Sequence, residues 1–148
     1  LAKIRNIFPD AFIRTAFIIG FPGETREDFD ILCEFVRKNR FESVGIFQYH
    51  DEPLATSSKL DQKVDDRVAK GRISELTPLL EEIYSEKRKE RVGKKQSGYI
   101  MEVRERTAII RPVLHAPEVD EYDEIDFEDI IGNLEIGQKV VYTLMSNL

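Results

Sequence analysis

The sequence predicts an α/β segment of the βαβα type followed by a small all-β domain. Two apolar runs, 17–19 and 44–49, flank a stretch whose apolar residues recur at helical spacing, and beyond residue 93 the pattern becomes strand-like. Strand, helix and strand in this order form a parallel, right-handed unit. Two parallel strands do not make a sheet with both faces covered. We therefore expect residues 1–92 to be part of a larger barrel or sheet and residues 93–148 to form a small β-barrel.

The first elements follow from local signals. A short helical stretch, Ala2–Phe8, is broken by Pro9 and precedes the first strand, and the chain begins without methionine, so we interpret it as a fragment of a longer protein. Thr25 is the expected N-cap of the helix after the strand. The apolar stripe of that helix consists of Phe29, Leu32, Cys33 and Val36.

The second half of the segment contains a long connection and a long helical pattern. Residues 50–63 are polar, and the helical pattern over 64–92 contains Thr77-Pro78, where we expect a break with Pro78 at the first position of a new helix. Residues 93–98 resemble a linker by composition. Strands are expected over 99–103, 107–114 and 140–144, which favours a barrel of the oligonucleotide-binding-like kind.

Composition limits the class of protein and of partner. The 148 residues include one cysteine and no apolar run long enough to span a bilayer. A cytoplasmic protein without an internal disulfide framework or a membrane partner is expected. Residues 1–91 carry 16 basic and 17 acidic side chains, whereas residues 92–148 carry 6 and 11, a net charge of −5. The second part should therefore bind a cationic or neutral partner rather than a nucleic acid.

The tight turn after the first strand is the strongest candidate for a ligand contact. Gly20 and Gly23 permit close approach to the backbone, and Pro22 stiffens the turn. Ligands of α/β sheets bind where strands end. The same residues would also make a good strand-to-helix turn without any ligand, so both interpretations stay open.

Several stretches resemble one family in the correct order. Residues 14–29 resemble a late barrel strand of the radical S-adenosylmethionine methylthiotransferases, residues 44–49 resemble their next strand, and the part from Gly93 onward resembles their TRAM domain. Arg14-Thr15 with Phe17-Ile18, and the stretch 115–120, resemble the RimO-type branch. That branch methylthiolates an aspartate of small-subunit ribosomal protein twelve. The loop that begins at His50 departs from the family's pattern, which leaves its role open.

The resemblance implies cofactors in the whole protein that this fragment does not itself hold. S-adenosylmethionine and two 4Fe–4S clusters are implied, but Cys33 is the only cysteine and is better explained as a small buried side chain. We expect no catalytic or metal-binding residue here and no activity from the fragment alone. The residues implied to lie near the cofactor, or alternatively to pack in the barrel, are Ile18, Gly20, Pro22, Gly23, Phe47 and Tyr49.

The resemblance also implies a basic small-subunit ribosomal protein as partner. Eight of the twelve residues over 118–129 are acidic, and such crowding favours a cationic ligand, although acidic residues often merely solvate a loop. The residues expected to dock the substrate are Glu118, Asp120, Glu121, Asp123 and Glu124. The basic stretch 87–91 is either a contact to nearby ribosomal RNA or a solvated helix face, and His50 and His115 are expected to be surface histidines.

Three other functions remain open. A tRNA-modifying methylthiotransferase would have a basic TRAM face, against the observed charge. A non-enzymatic oligonucleotide-binding module would place aromatic residues among basic ones on its strands. A protein-interaction domain with no enzyme attached is the third.

Overall fold

A computed structural model describes residues 1–117 and 120–145. It divides the chain into two compact units, Leu1–Glu86 and the part from Lys87 onward. The expected domain boundary between residues 92 and 93 stays a prediction. In the part of the chain that the structure describes, no helix is long and apolar enough to cross a membrane.

The first unit contains a parallel pair of strands. Its elements are α1 (Ala2–Ile7), β1 (Arg14–Ile19), α2 (Arg26–Asn39), β2 (Ser43–Gln48), a 3-10 turn (Thr56–Lys59) and α3 (Asp66–Arg91), whose last turn belongs to the second unit. The strands run in register from Arg14 opposite Ser43 to Ile19 opposite Gln48. Parallel pairing around a crossover helix is therefore confirmed, whereas membership of a radical S-adenosylmethionine barrel stays a prediction.

Helix α2 begins at the expected residue. The Thr25 hydroxyl accepts from the Asp28 backbone N–H at 3.1 Å, and the Asp28 carboxylate accepts from the Thr25 N–H at 2.9 Å. This reciprocal capping satisfies two donors that the helix leaves unpaired. The helix ends at Asn39, and the C-cap residue Arg40 has a left-handed φ of 43°.

Among the described residues of the first unit, the helices cover one face of the strand pair. Helices α2 and α3 pack on it around a core of Ile19, Phe29, Val36, Leu76, Leu80 and Ile83. On the opposite face Ile18 and Phe47 are directly paired and are 54% and 60% exposed. Apolar residues on both faces of a parallel sheet are normally buried. The sheet thus presents an open apolar face, which we define by Ile18 and Phe47.

The break expected at Pro78 does not occur, and that prediction was wrong. Helix α3 runs without interruption from Asp66 to Arg91. Pro78 cannot donate to the carbonyl four residues earlier, but Leu76 and Leu80 on either side of it are buried in the core. The Thr77 hydroxyl donates to the Ile73 carbonyl at 2.8 Å. Packing of the apolar residues on both sides therefore outweighs the lost hydrogen bond.

The second unit is a five-stranded antiparallel sheet. Its elements are β3 (Lys95–Val103), β4 (Thr107–Pro112), β5 (Asp123–Asp126), a 3-10 turn (Phe127–Asp129), β6 (Ile130–Ile131) and β7 (Lys139–Thr143), in the spatial order β5-β4-β3-β7-β6. Its core contains Ile100, Ile110, Val140, Tyr142 and Leu144. A small β domain is confirmed, but among the described residues the sheet is open at β5 and β6, so no closed barrel is found.

The expected linker over 93–98 is mostly strand. Strand β3 begins at Lys95 and pairs with both β4 and β7. A Cβ atom on Gly98 would lie 2.7 Å from the Arg111 carbonyl oxygen and closer still to Ile110. This glycine therefore permits close strand packing rather than flexibility, and composition alone gave the wrong assignment.

Candidate functional site

The Gly20–Gly23 turn joins the end of β1 to helix α2. Gly20 has a φ of 82°, and a Cβ atom there would lie 2.7 Å from the Cβ of Ala69 on α3. Its backbone N–H donates to the Glu24 carboxylate at 3.0 Å. The missing side chain therefore lets α3 approach, and the amide already has a partner within the protein.

A buried ion pair holds this turn from the inside. The Arg72 guanidinium on α3 bonds the Glu24 carboxylate and also donates to the Glu24 backbone carbonyl at 3.2 Å. The two side chains are only 9% and 11% exposed. Removing either partner would leave the other charge buried and unpaired. Glu24 and Arg72 therefore stabilise the turn rather than face a ligand.

At the far end of the turn, Gly23 is partly exposed. Pro22 is buried, and Gly23, with a φ of 90°, has only the Gln62 side-chain oxygen near its missing Cβ, at 3.6 Å. The Gly23 N–H donates to the Gln62 carbonyl at 3.0 Å. A shallow surface depression lies here, lined by Gly23, Thr25, Gln62, Lys63 and Val68 among others.

Tyr49 lies beside this turn at the end of β2. Its backbone N–H donates to the Ile19 carbonyl at 2.8 Å, which extends the strand pairing by one residue. Its ring meets the Phe21 ring edge-on at a centroid distance of 5.3 Å. Its hydroxyl donates to Asp51 at 3.3 Å. The residues predicted to contact the cofactor thus form two groups: Ile18 and Phe47 on the open apolar face, and the others at the strand ends.

The first unit does not contain the ligands of an iron–sulfur cluster. Such clusters need several thiolates, and the chain has only Cys33, which is partly buried on α2 against the core. Burial raises the pKa of this thiol. No group of three or more metal-ligating side chains occurs in residues 1–117 and 120–145. The chain therefore does not fit a cluster. Ile18 and Phe47, by contrast, have the apolar chemistry to form a wall for the adenine of S-adenosylmethionine.

Asp123, one of the residues predicted to dock the substrate, is inside the second unit. It is 1% exposed. Its carboxylate accepts from Arg88 at 2.9 Å, from Arg91 at 2.6 Å and from the Tyr142 hydroxyl at 2.6 Å. Burial and the adjacent carboxylate raise the pKa of Tyr142 far above its usual value. We call these four residues the Asp123 cluster.

Sequence reasoning missed the Asp123 cluster. The available signal was the phase of strand β5, because Asp123 and Ile125 alternate with Glu124 and Asp126 and should share the buried face. The cluster also engages two residues of the basic stretch 87–91. The arginines of this stretch, Arg88 and Arg91, therefore bond a buried carboxylate within the second unit. Because Asp123 is that carboxylate, we do not propose it as a docking residue.

The other predicted docking residues differ in availability. Glu121 is exposed, whereas Asp120 accepts from the Ala116 N–H at 2.6 Å. Glu124 accepts from the Thr107 hydroxyl at 2.8 Å and from Arg104 at 2.9 Å, and these bonds lower its pKa. Glu118 lies outside the described residues. The acidic run also presents Asp126 and Glu128 as exposed side chains.

His115 is partly buried rather than a simple surface histidine, while His50 is exposed. The His115 Nδ1 lies 2.8 Å from the Glu121 carbonyl oxygen, and desolvation lowers its pKa below the ordinary 6.5. The unfolded chain therefore binds the proton more readily than the folded one. Acidification should then favour unfolding.

We expect the free energy of unfolding of the second unit to fall as the pH drops from about 7 to about 5, with His115 contributing to the slope. His115→Gln should flatten the profile in this range, because the group with the lowered pKa is removed. The matched control is His50→Gln, a substitution in the first unit, which should leave the slope of the second unit unchanged. Chemical denaturation at several pH values measures this slope. If His115→Gln has the same slope as the wild type, His115 does not contribute to the pH dependence.

Comparison with curated proteins finds relatives that share one name. The chain is 42% identical over 118 residues to the ribosomal protein uS12 methylthiotransferase RimO of Thermosipho melanesiensis, which covers 80% of this chain and 28% of that protein. It is 39% identical over 141 residues to the protein of the same name from Koribacter versatilis, and the match covers 93% of this chain and 28% of that protein. The protein of the same name from Thermotoga maritima is 43% identical over 121 residues, and the match covers 81% of this chain and 28% of that protein.

The chain therefore spans about 28% of the length of the curated relatives it matches. The predicted resemblance to RimO-type methylthiotransferases is confirmed. No family model matches the chain.

Proposed function

We propose, from the premise that this chain corresponds to a segment of the RimO-type methylthiotransferases, that the whole protein transfers a methylthio group to ribosomal protein uS12. The finer proposal is that the group is attached to the β-carbon of an aspartate of that protein. The observation that carries the proposal is the sequence similarity over most of the chain. A cytoplasmic location, where ribosomal proteins are assembled, is part of the proposal.

The open apolar face gives the first unit a role in this activity. In the whole protein, S-adenosylmethionine and two 4Fe–4S clusters would supply the radical chemistry and the transferred group. The clusters would be held by residues outside this chain. Ile18 and Phe47 would form an apolar wall for the adenine, since both are more than half exposed on the uncovered face. Tyr49 and the Gly20–Gly23 turn would border that wall.

Mass spectrometry of the substrate tests the proposed activity. The full-length enzyme, purified with its clusters under anaerobic conditions, is incubated with uS12, S-adenosylmethionine and a reductant. We expect one methylthio group on an aspartate of uS12, located by fragmentation of the peptide. The absence of any adduct on uS12, with methylthiolated nucleosides formed from tRNA in a parallel reaction, would reject the proposed substrate.

The same reaction on tRNA is the second candidate, and one observation favours it. Arg111 and Lys139 are both directly opposite Tyr99 on neighbouring strands, and the Arg111 guanidinium lies 5.2 Å from the centre of the Tyr99 ring. An aromatic ring between two cations can stack on a base and contact its phosphate. The parallel reaction with tRNA decides between the two substrates.

We propose that the second unit docks uS12 through its exposed carboxylates. Neutralising Glu121 and Asp126 together should raise the dissociation constant for uS12 about 2- to 30-fold, since exposed ion pairs contribute about 0.2–1 kcal/mol each. Binding should also depend less on salt. Fluorescence anisotropy with the full-length protein measures both.

The matched control for docking changes the same number of charges elsewhere in the second unit. Glu105 and Glu135 are exposed and lie outside the acidic run, so Glu105→Gln with Glu135→Gln should alter binding much less. Equal effects in the two double variants would mean that net charge, not the acidic run, attracts the substrate.

A further inference from the structure

The long connection after β2 is fastened at one residue. The Lys63 ammonium donates to the Asp51 carboxylate and to the backbone carbonyls of Ser57 and Ser58, each at 3.1 Å. An ammonium group has three N–H donors and no acceptor. These three oxygens can therefore accept hydrogen bonds from all three N–H donors of Lys63.

The partners of Lys63 come from two places in the connection. Asp51 lies three residues beyond the end of β2, and Ser57 and Ser58 belong to the 3-10 turn. Long loops without regular structure are either functional or disordered. Here a single cation bonds the start and the middle of the loop together, so the loop has a defined shape.

Lys63 and its neighbour also connect the loop to the candidate site. The Lys63 Nζ lies 5.6 Å from the centre of the Tyr49 ring, within the range of a cation–π contact. The Gln62 carbonyl accepts from the Gly23 N–H at 3.0 Å. Two consecutive residues thus hold the loop to both strand ends, β2 through Tyr49 and β1 through Gly23.

We propose that Lys63 is a positioning residue that holds the loop 51–60 and the Tyr49 ring beside the Gly20–Gly23 turn. The inference deepens the proposed function, because it assigns the loop to the border of the S-adenosylmethionine site. Lys63 itself need not touch the cofactor. Its effect is that the border is formed before the ligand arrives, which lowers the ordering cost of binding.

Hydrogen exchange of the protein without added S-adenosylmethionine tests the positioning directly. In Lys63→Met of the full-length protein, the amides of residues 57–60 should exchange about 10-fold faster, because the charged donor to two loop carbonyls is lost. The matched control is Lys70→Met. Lys70 makes an exposed pair with Asp66 at 2.7 Å, so its loss removes the same charge without freeing the loop.

A conservative variant separates shape from charge. In Lys63→Arg the positive charge remains, but a planar guanidinium cannot direct its donors to the same three oxygens as an ammonium. Exchange should stay faster than in the wild type. Full recovery by arginine, or unchanged exchange in Lys63→Met, would overturn the positioning role.

Ligand binding then tests the link to the site. Lys63→Met should raise the dissociation constant for S-adenosylmethionine about 3- to 10-fold, as expected for a less ordered site, with little change in the KM for uS12. Faster exchange with an unchanged dissociation constant would show that the loop does not border the cofactor. If the wild-type protein binds no S-adenosylmethionine, the proposed function itself fails, while the exchange experiment still decides the role of Lys63 in the loop.

Discussion

Asp123→Ala is expected to destabilise the second unit by about 1–3 kcal/mol, because the buried Tyr142 hydroxyl loses its acceptor and two partly exposed arginines lose their counter-charge. Arg88 and Arg91 would lose a shared carboxylate that is 2% exposed. The Tyr142 hydroxyl, in a side chain that is 1% exposed, would lose its acceptor. Residue-resolved hydrogen exchange of β3 and β7 measures the effect on this unit alone.

The control for Asp123 lies on the same strand. Asp126→Ala removes an exposed carboxylate and should change stability by less than about 0.5 kcal/mol. A second variant tests the mechanism: Asp123→Leu combined with Tyr142→Phe removes the carboxylate and the hydroxyl together, and should recover part of the loss because fewer polar groups are left unpaired. If Asp123→Ala is as mild as Asp126→Ala, the Asp123 cluster does not stabilise the fold.

Gly20→Ala is expected to destabilise the first unit by about 2–5 kcal/mol, which combines left-handed backbone strain with overpacking. The new Cβ would meet the Cβ of Ala69 at 2.7 Å while φ stays near 82°. Neither the β1 end nor α3 can move without disturbing the core they share. Hydrogen exchange of the α2 and α3 amides measures the loss.

Gly71 provides the matched control, since it lies on the same helix as Ala69. A Cβ at Gly71 meets nothing within 4 Å, so Gly71→Ala should stabilise the helix by about 0.5–1 kcal/mol. Adding Ala69→Gly to Gly20→Ala should relieve the contact but not the backbone strain. If the effects of Gly20→Ala and Ala69→Gly on the free energy of unfolding are additive, the contact with Ala69 does not explain why glycine occupies position 20.

The elements that sequence predicted well are those set by neighbouring residues. The N-cap residue Thr25 directly precedes the helix, and the apolar stripe of α2 is a local period. Parallel pairing followed from the order strand, helix, strand. These features need no knowledge of what packs against them.

The features that sequence did not predict depend on residues far along the chain. The alternation along β5 marks Asp123 as buried, but its partner Arg91 lies 32 positions earlier and no local pattern points to it. The continuity of α3 at Pro78 depends on the core that receives Leu76 and Leu80. The need for glycine at position 20 depends on Ala69, which lies on a helix far along the chain. Tertiary packing overrides local preference in each case.

The course of helix α3 has a practical consequence for expressing the sheet domain by itself. A recombinant product whose first codon encodes Gly93, the border suggested by composition, would lack Arg88 and Arg91 and would fold with the Asp123 carboxylate facing no cation. A gene fragment opening at Lys87 or earlier retains both guanidinium groups. Yield and melting temperature of the two products should therefore differ clearly, in favour of the longer one.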